Sequence, residues 1–369
     1  MTIPVVLVGA GGMGRNWLDT IVAHAEAELA AVVDLNVETA RRALAEAGLH
    51  EVPVGTDAVQ TAQQVGAEAI VNVTVPQAHH PVTTAALFAG YPVLGEKPVA
   101  ESVSRALSLV AASEVTEQRF MVSQSRRYND QVFAFWEQAR TLGDLAVLTT
   151  EFFKAPHFGG FREVMDHPLL LDMAIHAFDS ARFVLGAEPV AVYCEEHNPS
   201  WSWYNGNAAT SAIFEMTGQA RYVYSGSWCS PGLETSWNGQ WRLSGEYGSA
   251  YWDGESMPVM ERDPAVPPAA HADPGEGING ALTSFLQTLY QPHPPMGEVH
   301  ENVMSLVMVE AAIESAERGA RVWVDEVLER AHQQAIAEET HPQVREQLKS
   351  WTDLRKVLGQ AGRTSPILH

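Results

Sequence analysis

Cysteine is nearly absent. Cys194 and Cys229 are the only two in 369 residues, so at most one disulfide can form and a cysteine-built zinc framework is excluded. That usage fits a reducing compartment, and the expected location is cytoplasmic. Long apolar runs are missing as well: no stretch approaches the roughly 20 apolar residues that a membrane span needs. The start, Met1-Thr2-Ile3-Pro4-Val5, has neither the basic residues nor the apolar stretch of a signal peptide, so a soluble, unexported chain is expected. Positive charge is also scarce. Lys and Arg number 23 against 45 Asp and Glu, a formal net charge of −22, with the acids scattered along the chain. Such a surface repels phosphate backbones and anionic head groups, which speaks against nucleic acid and membranes as partners. There is no internal repeat, and no metal-ligand spacing is diagnostic, so no metal is expected.

What is present is ample apolar material, 46% of residues, in a chain long enough for two domains. Short apolar runs at Ile3–Val8, 29–34, 69–73, 91–95 and 119–123 read as buried strands. Helical spacing at 17–26, 38–47, 81–89 and 103–114 separates them. Strands without a polar face, alternating with helices, imply a parallel sheet covered on both sides. Beyond about residue 124 the pattern changes. A helix at 130–140, a strand at Leu145–Phe153 and a helix at 168–185 precede alternating segments at 189–195, 209–216, 220–228, 239–245 and 249–252. Alternation predicts a mostly antiparallel sheet with two unlike faces. The Pro-rich stretch 258–274 reads as a surface loop, followed by helices near 278–290 and 300–318. The expected domains are 1–124, 125–330 and a polar helical extension, 331–369.

Gly9-Ala10-Gly11-Gly12-Met13-Gly14 follows the first strand and opens a helix. In a G-x-G-x-x-G turn the first glycine permits the bend, the second admits a pyrophosphate and the third lets helix pack on strand. In so acidic a chain, backbone N–H groups at the helix start must hold those phosphates. Asp34, 20 positions beyond Gly14, stands where an acid grips a ribose 2′-OH. It repels a 2′-phosphate, and no Arg is adjacent, so NAD is expected rather than NADP. Asp34 serves equally well as a helix N-cap, and both roles stay open. The fold class is α/β: a Rossmann doubly wound parallel sheet, then an α+β domain with a large, mostly antiparallel open sheet.

Glu96-Lys97-Pro98 ends a strand of the parallel sheet, where ligand crevices form, so Lys97 is placed to stabilise a substrate alkoxide. The alternative is a solvated surface lysine. Asp172 and His176 lie four apart among Leu, Met, Ile and Phe, on one helix face. Histidine suits proton exchange with a hydroxyl, while the plainer alternative is a buried histidine satisfied by Asp172.

The glycine turn, Thr74-Val75-Pro76 with His79, Glu96-Lys97-Pro98 and Asp172-x-x-x-His176 occur in the order found in the Gfo/Idh/MocA family, named after glucose–fructose oxidoreductase and inositol dehydrogenase. The chain resembles that family over residues 1–330. The resemblance implies that Lys97 and His176 are catalytic with Asp172 assisting. Gly9, Gly11, Gly12, Met13, Gly14, Asp34, Thr74, Pro76, His79, Glu96 and Lys97 would then face NAD. It also implies a homodimer or homotetramer built through the open sheet. Arg126-Arg127-Tyr128 resembles the entry of inositol dehydrogenases into their substrate domain. Met165-Asp166-His167-Pro168-Leu169 departs from the glycines many relatives carry there, so their substrates do not transfer.

Arg126, His157, Arg162, Asp166 and His167 are further candidates for polyol or sugar-acid recognition. The six tryptophans between 201 and 252 read mainly as sheet core or interface, with Trp201 and Trp203 better suited to a pocket or subunit contact. The expected activity is NAD-linked oxidation of a secondary alcohol of a sugar, inositol or related polyol. Two rivals remain: a glycoside hydrolase working by transient oxidation with NAD, and a non-enzymatic NAD(H)-binding regulator.

Overall fold

The computed structural model describes residues 2–265, 275–290 and 293–359. The chain divides into two compact units: Met1–Tyr128, Gly275–Val303 and Arg330–His369 form the first, and Asn129–Pro274 and Met304–Glu329 the second.

Over residues 3–123 of the first unit, strands and helices alternate without exception. The order is β1 (Ile3–Val8), α1 (Gly12–Ala23), β2 (Ala27–Val33), α2 (Val37–Glu46), β3 (Val54–Gly55), α3 (Ala58–Val65), β4 (Ala69–Asn72), α4 (Pro76–Phe88), β5 (Val93–Glu96), α5 (Val103–Thr116) and β6 (Phe120–Ser123). The strands pair in parallel in the order β3-β2-β1-β4-β5-β6. Strand order reverses between β1 and β4, and the crevice at such a point lies at the strands' C-terminal ends. The glycine turn, Asp34 and Lys97 each follow the C-terminal end of a strand there. Val5, Leu7, Val32, Val71 and Leu94 pack with Trp17, Leu18 and Ile21 of α1 into one core.

The second unit contains α6 (Asp130–Ala139), β7 (Leu145–Phe153), a π-helical turn at Leu169–Ala174 leading into α7 (Ile175–Leu185), β8 (Pro189–His197), β9 (Ala209–Met216), β10 (Arg221–Ser227), β11 (Gln240–Gly245), β12 (Gly248–Trp252) and β13 (Val259–Arg262). α8 (Gly277–Thr288) and the first residues of α9 (Val299–Arg318) return to the first unit. β14 (Val322–Trp323), α10 (Val324–Glu338), α11 (Pro342–Ser350) and α12 (Leu354–Gly359) complete the described chain. The second sheet has the order β13-β12-β11-β7-β10-β9-β8-β14. It is antiparallel except where β10 pairs with β7. Phe178 of α7 packs edge-on against Phe214, Tyr222 and Tyr224 of the sheet. The opposite face presents the exposed Tyr193, Ile213 and Arg242. Two unlike faces are what strict alternation requires.

Several expectations need correction. The 125–330 span is not one unit, because 275–303 packs with the first sheet. Gly280 backs onto Tyr128, and the Val122 N–H donates to Gly297 O. Nor is 331–369 a separate extension. α11 packs on α5, and residues 360–369 lie outside the described region. Within 258–274, Val259–Arg262 forms β13 on the sheet edge, and 266–274 are not described. α1 begins at Gly12 rather than 17, and α4 at Pro76 rather than 81, with Pro81 inside the helix. Glycines and prolines mark breaks in a pattern, but the first turn of a helix needs no N–H partner and tolerates both.

Candidate functional site

The glycine turn forms as its spacing demands. Gly9 adopts φ +102°, and a Cβ there would lie 2.5 Å from Val73 O. A Cβ on Gly14 would press into the Gly9 carbonyl oxygen. Side chains at Gly11 or Gly12, in contrast, would meet nothing within 4 Å. No side chain caps the start of α1, and no acid occupies its first turn. Open space beside an uncapped helix start, bordered by two crowded glycines, fits a dinucleotide pyrophosphate held by backbone N–H groups. Asp34 Oδ2 accepts from Ala10 N–H at 2.9 Å and Oδ1 from Asn36 N–H at 2.8 Å. The N-cap of α2 is Asn36 instead, whose Oδ1 accepts from Glu38 N–H at 3.1 Å. Asp34 is therefore no helix cap, and its carboxylate borders the glycine turn, as a ribose partner should.

At the end of β5, Glu96 is buried. Its Oε1 accepts from Trp17 Nε1 at 2.7 Å and its Oε2 from Lys97 N–H at 3.1 Å. Burial raises its pKa, while Trp17, the Lys97 charge and the Lys97 N–H pull the other way. Lys97 is half-buried, and the Lys97–Pro98 peptide is cis. His79 is buried too. Its Nδ1 lies 2.7 Å from Pro98 O and its Nε2 3.0 Å from Thr74 O. Burial lowers its pKa, and the Lys97 charge adds to that, against the raising effect of the two carbonyls. Thr74 Oγ1 donates to Asn72 Oδ1 at 2.7 Å, and Asn72 Nδ2 donates to Thr83 at 3.1 Å. Glu96 and His79 were expected to face the cofactor. Their polar atoms join backbone and helix, bracing the loops around Lys97. Pro76 stands at the first turn of α4. Arg126 keeps its cation even though burial lowers its pKa to about 10. Its neighbour Arg127 pairs with Glu301 at 2.6 Å.

In the second unit, the helix carrying Asp172 and His176 begins with the π-helical turn, a geometry often found at functional sites. Asp172 Oδ2 accepts from Arg162 Nε at 2.6 Å, and His176 is buried. Arg162 lies with its Cζ 5.4 Å from the centre of the Phe158 ring. His157, exposed, stacks on Trp203 at 3.6 Å between ring centres, which braces the 198–207 loop. Asn205 and Asn207 N–H groups bond to Glu163 O and Asp166 O, both at 2.8 Å, locking that loop to the Arg162 segment. His167 lies 2.7 Å from Glu196 Oε2, which raises its pKa against the effect of burial. Trp201 donates to Cys229 O at 2.9 Å. Among the described residues, no cluster of three or more His, Cys, Asp or Glu side chains is placed to hold a metal ion. No described helix is long and apolar enough to cross a membrane. Trp17, Asn72, Arg162 as the partner of Asp172, and Glu196 were not foreseen in these roles. Nothing in local sequence links Trp17 with Glu96, 79 positions apart.

Two family models match the chain. The oxidoreductase family with an NAD-binding Rossmann fold matches residues 3–124, and the GFO/IDH/MocA C-terminal domain matches residues 136–251. The chain belongs to the Gfo/Idh/MocA family. As a Gfo/Idh/MocA member it is an NAD-binding oxidoreductase. It is 28% identical to the uncharacterized protein y4oX of Sinorhizobium fredii, over 89% of this chain and 98% of that one. It is 32% identical to inositol 2-dehydrogenase 4 of Saccharopolyspora erythraea over 51% of this chain, and there it spans only 55% of the relative's length. Among solved structures, an oxidoreductase from Agrobacterium radiobacter in complex with NAD+, L-tartaric acid and magnesium shares the fold. Its TM-score is 0.78 at 18% identity, covering 89% of this chain and 100% of that one. The myo-inositol dehydrogenase from Lactobacillus casei in complex with NAD(H) and myo-inositol gives 0.72 at 18% identity, covering 88% and 97%.

Proposed function

We propose that this Gfo/Idh/MocA protein is an NAD-linked dehydrogenase of a secondary alcohol on a sugar, inositol or related polyol. The observation that carries the reading is a chain of this family that keeps the open glycine turn bordered by Asp34 and also keeps Lys97 at the end of β5. The inositol 2-dehydrogenase relatives supply the substrate class. Gly11, Gly12 and the start of α1 hold the pyrophosphate, and Asp34 holds the adenosine ribose. When bound, NAD+ supplies the two-electron oxidant for the carbinol C–H. Lys97 donates a hydrogen bond to the substrate oxygen and stabilises negative charge developing there. His176 takes the hydroxyl proton, and Asp172, braced by Arg162, orients the imidazole or a second substrate hydroxyl. The outward face of the second sheet, with Tyr193 and Ile213 side by side on β8 and β9, supports assembly as a homodimer or homotetramer, which light scattering reads directly.

The test is a screen for NADH formation across inositols, monosaccharides, anhydrosugars and sugar acids, repeated with Lys97→Met and His176→Ala. Each variant should lose at least about a hundredfold in kcat while NAD affinity stays within about threefold. Full activity in either variant ends the assignment of that residue. Glycoside cleavage without net NADH would replace dehydrogenation by transient oxidation.

A further inference from the structure

Glu96 raises a physical question that the proposed chemistry leaves unanswered. A carboxylate buried beside the reacting lysine carries a desolvation cost unless donors satisfy it. Two donors do, and both are informative. One is the N–H of Lys97 itself. The other is the indole N–H of Trp17, a fully buried ring on α1 three residues after the last glycine of the phosphate turn. A single carboxyl group thus spans from the helix that receives the pyrophosphate to the backbone of the lysine. The Lys97 charge also lies close enough to favour the ionised carboxylate. On the far side, His79 ties Pro98 O to Thr74 O, so the Lys97–Pro98 segment is gripped from α1 and from the start of α4.

We propose that Trp17 and Glu96 are positioning residues that hold Lys97 in its working place from the phosphate-binding helix, touching neither substrate nor reacting atoms. This rests on the reading of Lys97 as the group that acts on the substrate oxygen. It makes the site sensitive to the seating of α1: a shift of the helix start is passed through one indole and one carboxylate to the lysine. An apolar residue at 17 would fill the core as well but would leave a carboxylate oxygen without its donor.

Only Lys97, Lys154, Lys349 and Lys356 are lysines, so competitive acetylation of the apo protein at low conversion, resolved peptide by peptide, reads Lys97 against internal references. Trp17→Phe keeps most of the ring volume and removes the N–H. It should change the Lys97 acetylation rate at least threefold relative to Lys349 and Lys356. With NAD and the polyol most active in the screen, it should lower kcat at least tenfold with KM and NAD affinity within threefold. On a Lys97→Met background the same change should have no further effect on residual turnover, a non-additivity that simple loosening of the core does not produce. Unchanged Lys97 acetylation, or additive losses in the double variant, would overturn the proposal. If Trp17→Phe does not fold, Glu96→Gln takes its place with the same expected and overturning results. A fully active Lys97→Met would instead sink the role of Lys97 itself, which separates failure of the proposed function from failure of this inference.

Discussion

Replacing His300 by Ala perturbs the cluster that ties α11 and Trp351 to Glu114 of α5 within the first unit. His300 Nδ1 lies 2.9 Å from Glu298 Oε1, and Nε2 lies 3.1 Å from Glu114 Oε1. Glu114 Oε2 accepts from Gln347 at 2.8 Å and from Trp351 Nε1 at 3.0 Å. Burial alone would lower the imidazole pKa, but the two carboxylates outweigh it and raise it from 6.5 to about 9. A rise of that size corresponds to on the order of 3 kcal/mol of folding free energy. Because the folded value is raised, the contribution is complete below pH 6.5 and is lost as pH climbs through about 9. Near neutral and mildly acidic pH, His300→Ala should therefore lower the melting of the first unit by about 6–12 °C, at roughly 2–4 °C per kcal/mol. That transition is identified as the one that NAD moves upward. At about pH 10 the difference between wild type and variant should fall below about 1 kcal/mol. An equal loss at both pH values would refute the electrostatic account and leave only packing.

Three further outcomes follow from the sites. Gly11→Ala, whose new methyl meets no protein atom, should keep the wild-type melting temperature yet weaken NAD binding at least about tenfold in an NADH fluorescence titration; unchanged affinity would move the pyrophosphate elsewhere. Asp34→Ala should cut kcat/KM with NAD by about 10- to 100-fold, the value of one or two hydrogen bonds to a charged group, and narrow the preference over NADP. A wild-type enzyme faster with NADP than with NAD would contradict the role of Asp34. Arg162→Met, which removes the bond from Arg162 Nε to Asp172 Oδ2, should lower kcat/KM for the polyol by about 10- to 100-fold without altering NAD affinity.

How much of this was legible in the sequence depended on the range of each interaction. β1, β7 and β9 were predicted to the residue because their apolar pattern is continuous or strictly alternating. β3 is two residues long, and α3 is a short helix that buries only Thr61 and Ala62, so neither rose above the loops around them. Alternation looks the same whether a neighbour runs parallel or antiparallel, so the β7–β10 pairing was invisible. The π-helical turn at 169–174 is a matter of backbone hydrogen-bond register, which side-chain spacing of four does not report. At the site, the glycine turn, Asp34, Lys97, Asp172 and His176 stood out because their chemistry is local. Partners of Glu96, His79 and Asp172 include Trp17, two backbone carbonyls and Arg162. They come from contacts that no local period encodes.

The first sheet and its covering are assembled from three separate stretches of polypeptide, and this constrains how the molecule is made. Until Trp351 has been synthesised, Glu114 lacks its last donor, and α5 lacks the helix that packs on it. A ribosome that has released only residues 1–128 therefore exposes a parallel sheet short of α8, α11 and the backbone that closes on β6. Expression of that N-terminal stretch alone should yield an aggregation-prone fragment, and nascent chains should depend on chaperones until nearly the whole described length has emerged.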